Sequence, residues 1–284
     1  MNIKELKSIE LSSYTLMNTA ISVIFSIIAT VILIIAIGAF IPDGVSLGIY
    51  LIPTLIIGTF MYGIYNNFTQ GLLYNLLAKK LKTIAIAIND GEIVKISTTE
   101  TSMMIAIILT IQVILLYLVS VFVLPIFLTS VMQTLMFSGQ EALAYSVYQL
   151  VIIISQPATI AIMIFATFIV SLVFTLIGTY LYNFLASKGR GIILNLNSEN
   201  GLTAIESVDA LRLAIVFAII IGVLQLILGI ISMVSGGNAL TAVGNIIGGF
   251  VSGFISFYIM GFLYNFLAGK IGKIKIELID LKIN

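Results

Sequence analysis

Long apolar runs alternate with short polar segments along the whole chain, and six of the runs are long enough to cross a bilayer core as helices, which takes roughly 18 residues or more. The spans are expected at about Asn18–Ile41, Tyr50–Tyr74, Met103–Leu128, Ala158–Tyr182, Arg212–Val234 and Val243–Tyr264. They group as three hairpins, each starting from a polar segment and returning to the same side. The polar segments switch period. Ile84–Ile88, Ile93–Ile96, Ile192–Leu196, Leu202–Ile205 and Ile274–Ile279 alternate apolar and polar residues, the pattern of strands rather than helices. Asn89-Asp90-Gly91 and Asn200-Gly201 supply turn chemistry between strands. Asn2–Ile9 has no upstream partner and Ile274–Ile279 no downstream one, so their pairing would close six strands into a sheet or ring.

The end of each hairpin repeats. Tyr74-Asn75-Leu76-Leu77-Ala78, Tyr182-Asn183-Phe184-Leu185-Ala186 and Tyr264-Asn265-Phe266-Leu267-Ala268 share Tyr-Asn-x-Leu-Ala, followed at one offset by Lys80, Lys188 and Lys270. The expected organisation is three tandem units, 1–90, 91–200 and 201–284. From Glu10 to Asn75 is 65 positions, from Glu100 to Asn183 is 83, and from Asp209 to Asn265 is 56. The second unit therefore carries an insertion, placed in its outer loop near 129–157, where Gln140–Ile154 reads as a short helix ending at Gln156-Pro157. The fold class expected is an all-α membrane protein: six transmembrane helices as three pseudo-threefold-related hairpins, with short cytoplasmic strands.

Composition agrees. Of 284 residues 60% are hydrophobic and 9% charged, against about 25% charged in soluble domains. All 13 Lys and Arg fall on the side of the motifs, while the opposite loops hold only Asp43 and Glu141. That asymmetry places both termini in the cytoplasm. Glu5 and Glu10 in a polar N-terminus, and the length of the first run, read as an uncleaved span. A net charge of +1 without a basic, aromatic-interleaved face points away from nucleic acid. With no Cys and no His, thiolate chemistry and the commonest general base are missing.

Four groups of residues are candidates for function. Tyr74, Asn75, Tyr182, Asn183, Tyr264 and Asn265 read as belt residues and interhelical hydrogen-bonders, the alternative being three amides lining a constriction. Glu10, Glu100 and Asp209 open the hairpins and read as helix caps, the alternative being a three-carboxylate cation site. Asn66, Asn67, Gln70 and Asn75 put neutral amides on the second span, with Asn67, Gly71 and Asn75 on one face; they form the best candidate for an intramembrane polar site. Gly244-x-x-x-Gly248 and Gly249-x-x-x-Gly253 read as helix-packing surfaces. Gln112 and Gln225 read as local hydrogen-bonders, and Arg212 as a snorkelling residue at a span end. No metal motif, nucleophile elbow or phosphate loop is present, so no enzyme activity, cofactor or metal is expected.

The repeated motif resembles that of a family of small, uncharacterised two-span membrane proteins of bacteria and archaea, which have Tyr-Asn-x-x-Ala, a glycine-containing turn and an alternating strand. The third copy fits best, with Gly272 and Ile274-Lys275-Ile276-Glu277-Leu278. The second keeps Gly189 and Gly191, and the first departs with Leu81-Lys82-Thr83. The resemblance implies that single-unit relatives form oligomers and that this chain is a fused trimer in a prokaryotic cell membrane; it carries no activity. The function expected is a non-enzymatic scaffold binding membrane-protein partners within the bilayer, with no obvious soluble substrate. The alternative is a passive channel or carrier for a small solute or ion.

Overall fold

The computed structural model describes residues 2–40, 44–137, 139, 141–199 and 201–281. Asp43, Gln140, Asn200 and Lys282, each used in the sequence reading, lie outside them. The elements run β1 (Asn2–Ile9), α1 (Leu11–Phe40), α2 (Gly44–Leu77), β2 (Ile84–Asn89), β3 (Glu92–Ile96), α3 (Thr98–Phe137), α4 (Glu141–Ser155), α5 (Pro157–Ser187), β4 (Leu194–Glu199), β5 (Leu202–Val208), α6 (Ala210–Val234), α7 (Ala239–Ile271) and β6 (Lys275–Asp280).

The chain is 74% helical. Among the described residues five helices, α1, α3, α5, α6 and α7, are long and apolar enough to cross a membrane. The segment expected as the second span forms the 34-residue α2, which is not among these five; it holds Pro53, and the amides of its second half dilute its apolar character. The all-α expectation is corrected by the strands, which join one six-stranded antiparallel sheet in the order β3-β2-β1-β6-β5-β4. The strand pattern already joins these segments into a sheet or ring, so the correction falls on the class and not on the strands.

The chain divides into two compact units, Met1–Thr101 with Leu176–Asn284, and Ser102–Thr175. The first contains the whole sheet. Its two terminal strands pair, Lys4 opposite Asp280 through Ile9 opposite Ile276, with a bulge between Leu6 and Ser8. The outer strands β3 and β4 also meet: Ile93 N–H donates to Ile192 O and Leu194 N–H to Gly91 O, both at 2.9 Å. A single bridge, Glu92 opposite Ile193, thus joins the two outer strands at their near ends and brings the sheet round into a ring, which shortens the edge left open to unwanted strand pairing. Two glycines permit this closure. A Cβ on Gly91 would lie 2.6 Å from Leu194 O, and one on Gly191 would strike Ile93 O. Asp90 and Gly91, at φ 47° and 81°, form the two-residue turn of the β2–β3 hairpin.

Above the ring α1 packs along α2 and α6 along α7. Small residues set the approach. Cβ atoms on Gly253 and Gly261 would lie 3.0 Å from Ile221 Cδ1 and 2.8 Å from Ala210 Cα, and one on Gly249 would lie 2.6 Å from Gln225 Cγ. Gly244 and Gly248 meet nothing within 4 Å, so only the second of the two glycine pairs packs on α6. Gln225 thus lies against that glycine surface.

The second unit holds most of α3, all of α4 and the first part of α5. The insertion helix runs Glu141–Ser155, one residue later than the pattern placed it, and α5 begins at Pro157, where a missing N–H costs nothing. Gln156 O accepts from Ile160 N–H at 3.1 Å, opening α5.

Candidate functional site

The three Tyr-Asn pairs make the same bonds. A residue at the end of a strand, about to enter a helix, has a backbone N–H and C=O that neither ladder nor helix satisfies, and an amide side chain offers both complements. Asn75 Oδ1 accepts from Ile9 N–H and its Nδ2 donates to Ile9 O, both at 2.8 Å. Asn183 does this to Ile96, and Asn265 to Val208, again at 2.8 Å throughout. The neighbouring tyrosine hydroxyl donates at 2.6 Å to the carbonyl three residues earlier: Tyr74 to Leu6, Tyr182 to Ile93 and Tyr264 to Ile205. Tyr182 and Tyr264 also accept from Ile192 and Ile274 N–H, at 3.2 and 3.4 Å. Each pair therefore fastens the end of a returning helix to the strand that leads into an outgoing one. Beside the second and third pairs, Lys188 and Lys270 lie 5.9 and 4.0 Å over the rings of Phe184 and Phe266.

The anchored residues Ile9, Ile96 and Val208 give an internal register. The next residue opens each helix: Glu10 O accepts from Tyr14 N–H, Ser97 O from Thr101 N–H and Asp209 O from Leu213 N–H, at 3.1, 3.2 and 2.9 Å. The capping position in the second copy is thus Ser97, and Glu100 lies three residues further on, inside the first turn. Glu100, expected as a cap, instead places its charge in the first turn of α3, at the positive end of the helix. Asp209 is a true N-cap, accepting from Arg212 N–H at 3.0 Å. Hydrogen bonds from Ser12 and Ser13 hold the Glu10 carboxyl below its usual range. Among the described residues no three acidic side chains gather as a metal-binding group.

The amides of α2 face α1. Asn67 is buried, and its Nδ2 donates to Thr19 Oγ1 at 3.3 Å. Gln70 Oε1 accepts from Tyr14 Oη at 3.2 Å, and Thr59 Oγ1 donates to Ser26 Oγ at 3.0 Å. Asn66 is half-buried beside this seam. Glycine closes it: a Cβ on Gly63 would lie 3.1 Å from Thr19 Cγ2, and one on Gly71 2.9 Å from Leu11 Cδ2. The result is a polar seam between two helices whose rungs satisfy one another.

Two regularities escaped the sequence reading. Four residues before each motif Asn stands a small, buried residue (Gly71, Thr179, Gly261), and twelve before it Gly63, Ser171 and Gly253. Counting back from the motif, rather than looking for Gly-x-x-x-Gly, would have found them. Eight residues after each anchored strand end stand Met17, Met104 and Val216, each 1% exposed. Ile21, Ile108 and Ile220, four residues on, are buried too. Comparison with protein-family models, curated proteins and solved structures finds no match to this chain.

Proposed function

We propose that this chain is a multi-pass protein of a prokaryotic cell membrane, three two-helix units about a pseudo-threefold axis with both termini cytoplasmic. In this reading it is a non-enzymatic scaffold that binds other membrane proteins, a fused counterpart of a trimer of two-span chains. The orientation is supported by the one-sided placement of the Lys and Arg residues. The threefold arrangement is supported by the three matching sets of Tyr and Asn hydrogen bonds.

One observation carries the scaffold reading over the channel reading. At matched offsets in α1 and α6, Met17 with Ile21 and Val216 with Ile220 are buried and apolar, and each pair packs in its own cluster against a motif tyrosine, Tyr264 and Tyr182. Apolar packing of this kind on the outgoing helices offers a passing ion no polar replacement for its water shell. The test is flux from liposomes holding pure protein: release of ions and small solutes should stay at the level of protein-free vesicles, while crosslinking in native membranes captures defined membrane-protein partners. Flux that Val216→Ser and Met17→Ser increase would reverse the reading.

The channel alternative keeps one specific support, the polar seam of Tyr14, Thr19 and Ser26 against Gln70, Asn67 and Thr59. If that seam carries a solute, Asn67→Leu and Asn75→Leu abolish flux.

A further inference from the structure

Two junctions of the ring can be laid over each other by counting from their anchors. Glu5 and Glu92 each stand four residues before an anchored strand end, Ile9 and Ile96. Thr83 and Gly191 each stand eight residues after a motif Asn, and each donates to the corresponding acid: Thr83 Oγ1 to Glu5 at 3.0 Å, Gly191 N–H to Glu92 at 2.7 Å. Next to each acid comes the residue four positions past the following anchor. At the second junction it is Arg212, whose guanidinium reaches Glu92 Oε1 at 3.4 Å and the carbonyls of Gly189 and Gly191 at 3.2 and 3.5 Å. At the first junction it is Glu100, a reversal of charge.

The first junction holds a cleft of about 410 Å³ lined by Glu5, Lys7, Lys82, Thr83, Ser97 and Glu100 among others. Glu5 is bonded to Lys7 and Thr83. Among the described ion pairs none involves Glu100 or Lys82. The chain supplies a cationic group to the acid at both junctions, Lys7 to Glu5 and Arg212 to Glu92, but the first junction adds a second carboxylate, Glu100, where the second has the arginine. A ligand suited to the cleft brings a hydrogen-bonding cation for Glu100 and Glu5 and an anion for Lys82 and Lys7. The cleft lies where α2 ends and α3 begins, the level at which headgroups stand if the helices span a bilayer.

We infer that the cleft between the end of α2 and the start of α3 binds a phosphoethanolamine group, with the ammonium at Glu100 and Glu5 and the phosphate at Lys82 and Lys7. The group can arrive as a phosphatidylethanolamine headgroup or as a soluble phosphoethanolamine. The site stands apart from the scaffold reading, which leaves this cleft without a role; only the lipid source rests on the membrane reading.

Purified full-length protein in detergent would be titrated with short-chain phosphatidylethanolamine, phosphatidylcholine and phosphatidylglycerol, and with soluble phosphoethanolamine, and bound species counted by native mass spectrometry. Phosphatidylethanolamine should bind at least about tenfold more tightly than phosphatidylcholine, whose quaternary ammonium donates no hydrogen bond, and than phosphatidylglycerol, which has no cation. Comparable binding of soluble phosphoethanolamine would assign the ligand to the aqueous pool; weak binding would assign it to the lipid. Glu100→Gln should weaken binding about tenfold. Glu100→Arg should abolish it while keeping thermal stability, since it writes the Arg212 arrangement into the first junction. Equal retention of the three lipids, or undiminished binding by a folded Glu100→Arg protein, would overturn the assignment.

Discussion

The first and third helix hairpins share a frame but fill it differently. Thr19 and Ala218 stand ten residues past their anchors, opposite Gly63 and Gly253; Leu11 and Ala210 stand opposite Gly71 and Gly261. Between these glycine contacts lies one rung that differs. In α6/α7 it is a stack of Phe217 on Phe257, with centroids 4.1 Å apart and planes 6° from parallel. In α1/α2 the corresponding positions are Asn18 and Asn67, and Asn67 bonds to Thr19. Helices in lipid gain little from apolar burial as such, so close backbone approach has to hold them. The glycines provide that approach in both hairpins, and the rung between them is free to be aromatic or polar. The polar seam is thus a feature particular to the first hairpin, on a frame that does not require it.

The comparison breaks most sharply at the glycines. Gly261→Leu should cost about 3 kcal/mol and separate α6 from α7, because the new side chain meets the Ala210 backbone. Gly71→Leu should cost about 1 kcal/mol, since it meets only the movable tip of Leu11. Thermal unfolding in detergent reads both, and equal losses would show that the backbone contact at Gly261 is no stricter than the side-chain contact at Gly71. Next come the anchors. Asn183→Leu leaves the N–H and C=O of Ile96 without partners and should cost about 2 kcal/mol, with Asn75→Leu and Asn265→Leu close to it. A spread wider than about 1 kcal/mol among the three would argue against equivalent roles.

The rung itself should matter less. A double-mutant cycle with Asn67→Leu and Thr19→Val should return a coupling of about 0.6 kcal/mol, the scale of interhelical hydrogen bonds in membranes. A coupling of zero would detach the seam from stability and leave it to function alone. The smallest effect concerns acid. The Glu10 carboxyl is held low chiefly by its hydrogen bond from Ser12. Its stabilising contribution is complete above the usual 4.5 and is lost as pH falls through the depressed value. Ser12→Ala should therefore lower the melting temperature slightly at neutral pH, leave it nearly unchanged near pH 3, and so flatten the fall between pH 5 and 3, roughly the range in which such carboxyls titrate.

Much of this frame was legible in the residues. Period-two alternation marked five of the six strands, and unmatched partners at the two ends of the chain pointed to β1 and to its pairing with β6. The tandem motif marked the three fastening points, though not that Asn75, Asn183 and Asn265 bind backbone, since an amide pattern does not name its partner. The register of the caps was misread at Glu100 because a hydroxyl-to-acid spacing is satisfied by chance in polar segments. The cleft at Glu5 and Glu100 was invisible. It arises from residues on β1, β2 and α3 brought together by the ring, and its meaning comes from Arg212, more than a hundred positions away.

The pairing of β1 with β6 also bears on how the chain is made. β1 cannot meet β6 until every helix and strand between them has been made. Such a distant contact delays completion of the fold and leaves hydrogen-bonding groups open during translation. A chain stopped before Lys275 would leave β1 and β5 each without the partner strand they share.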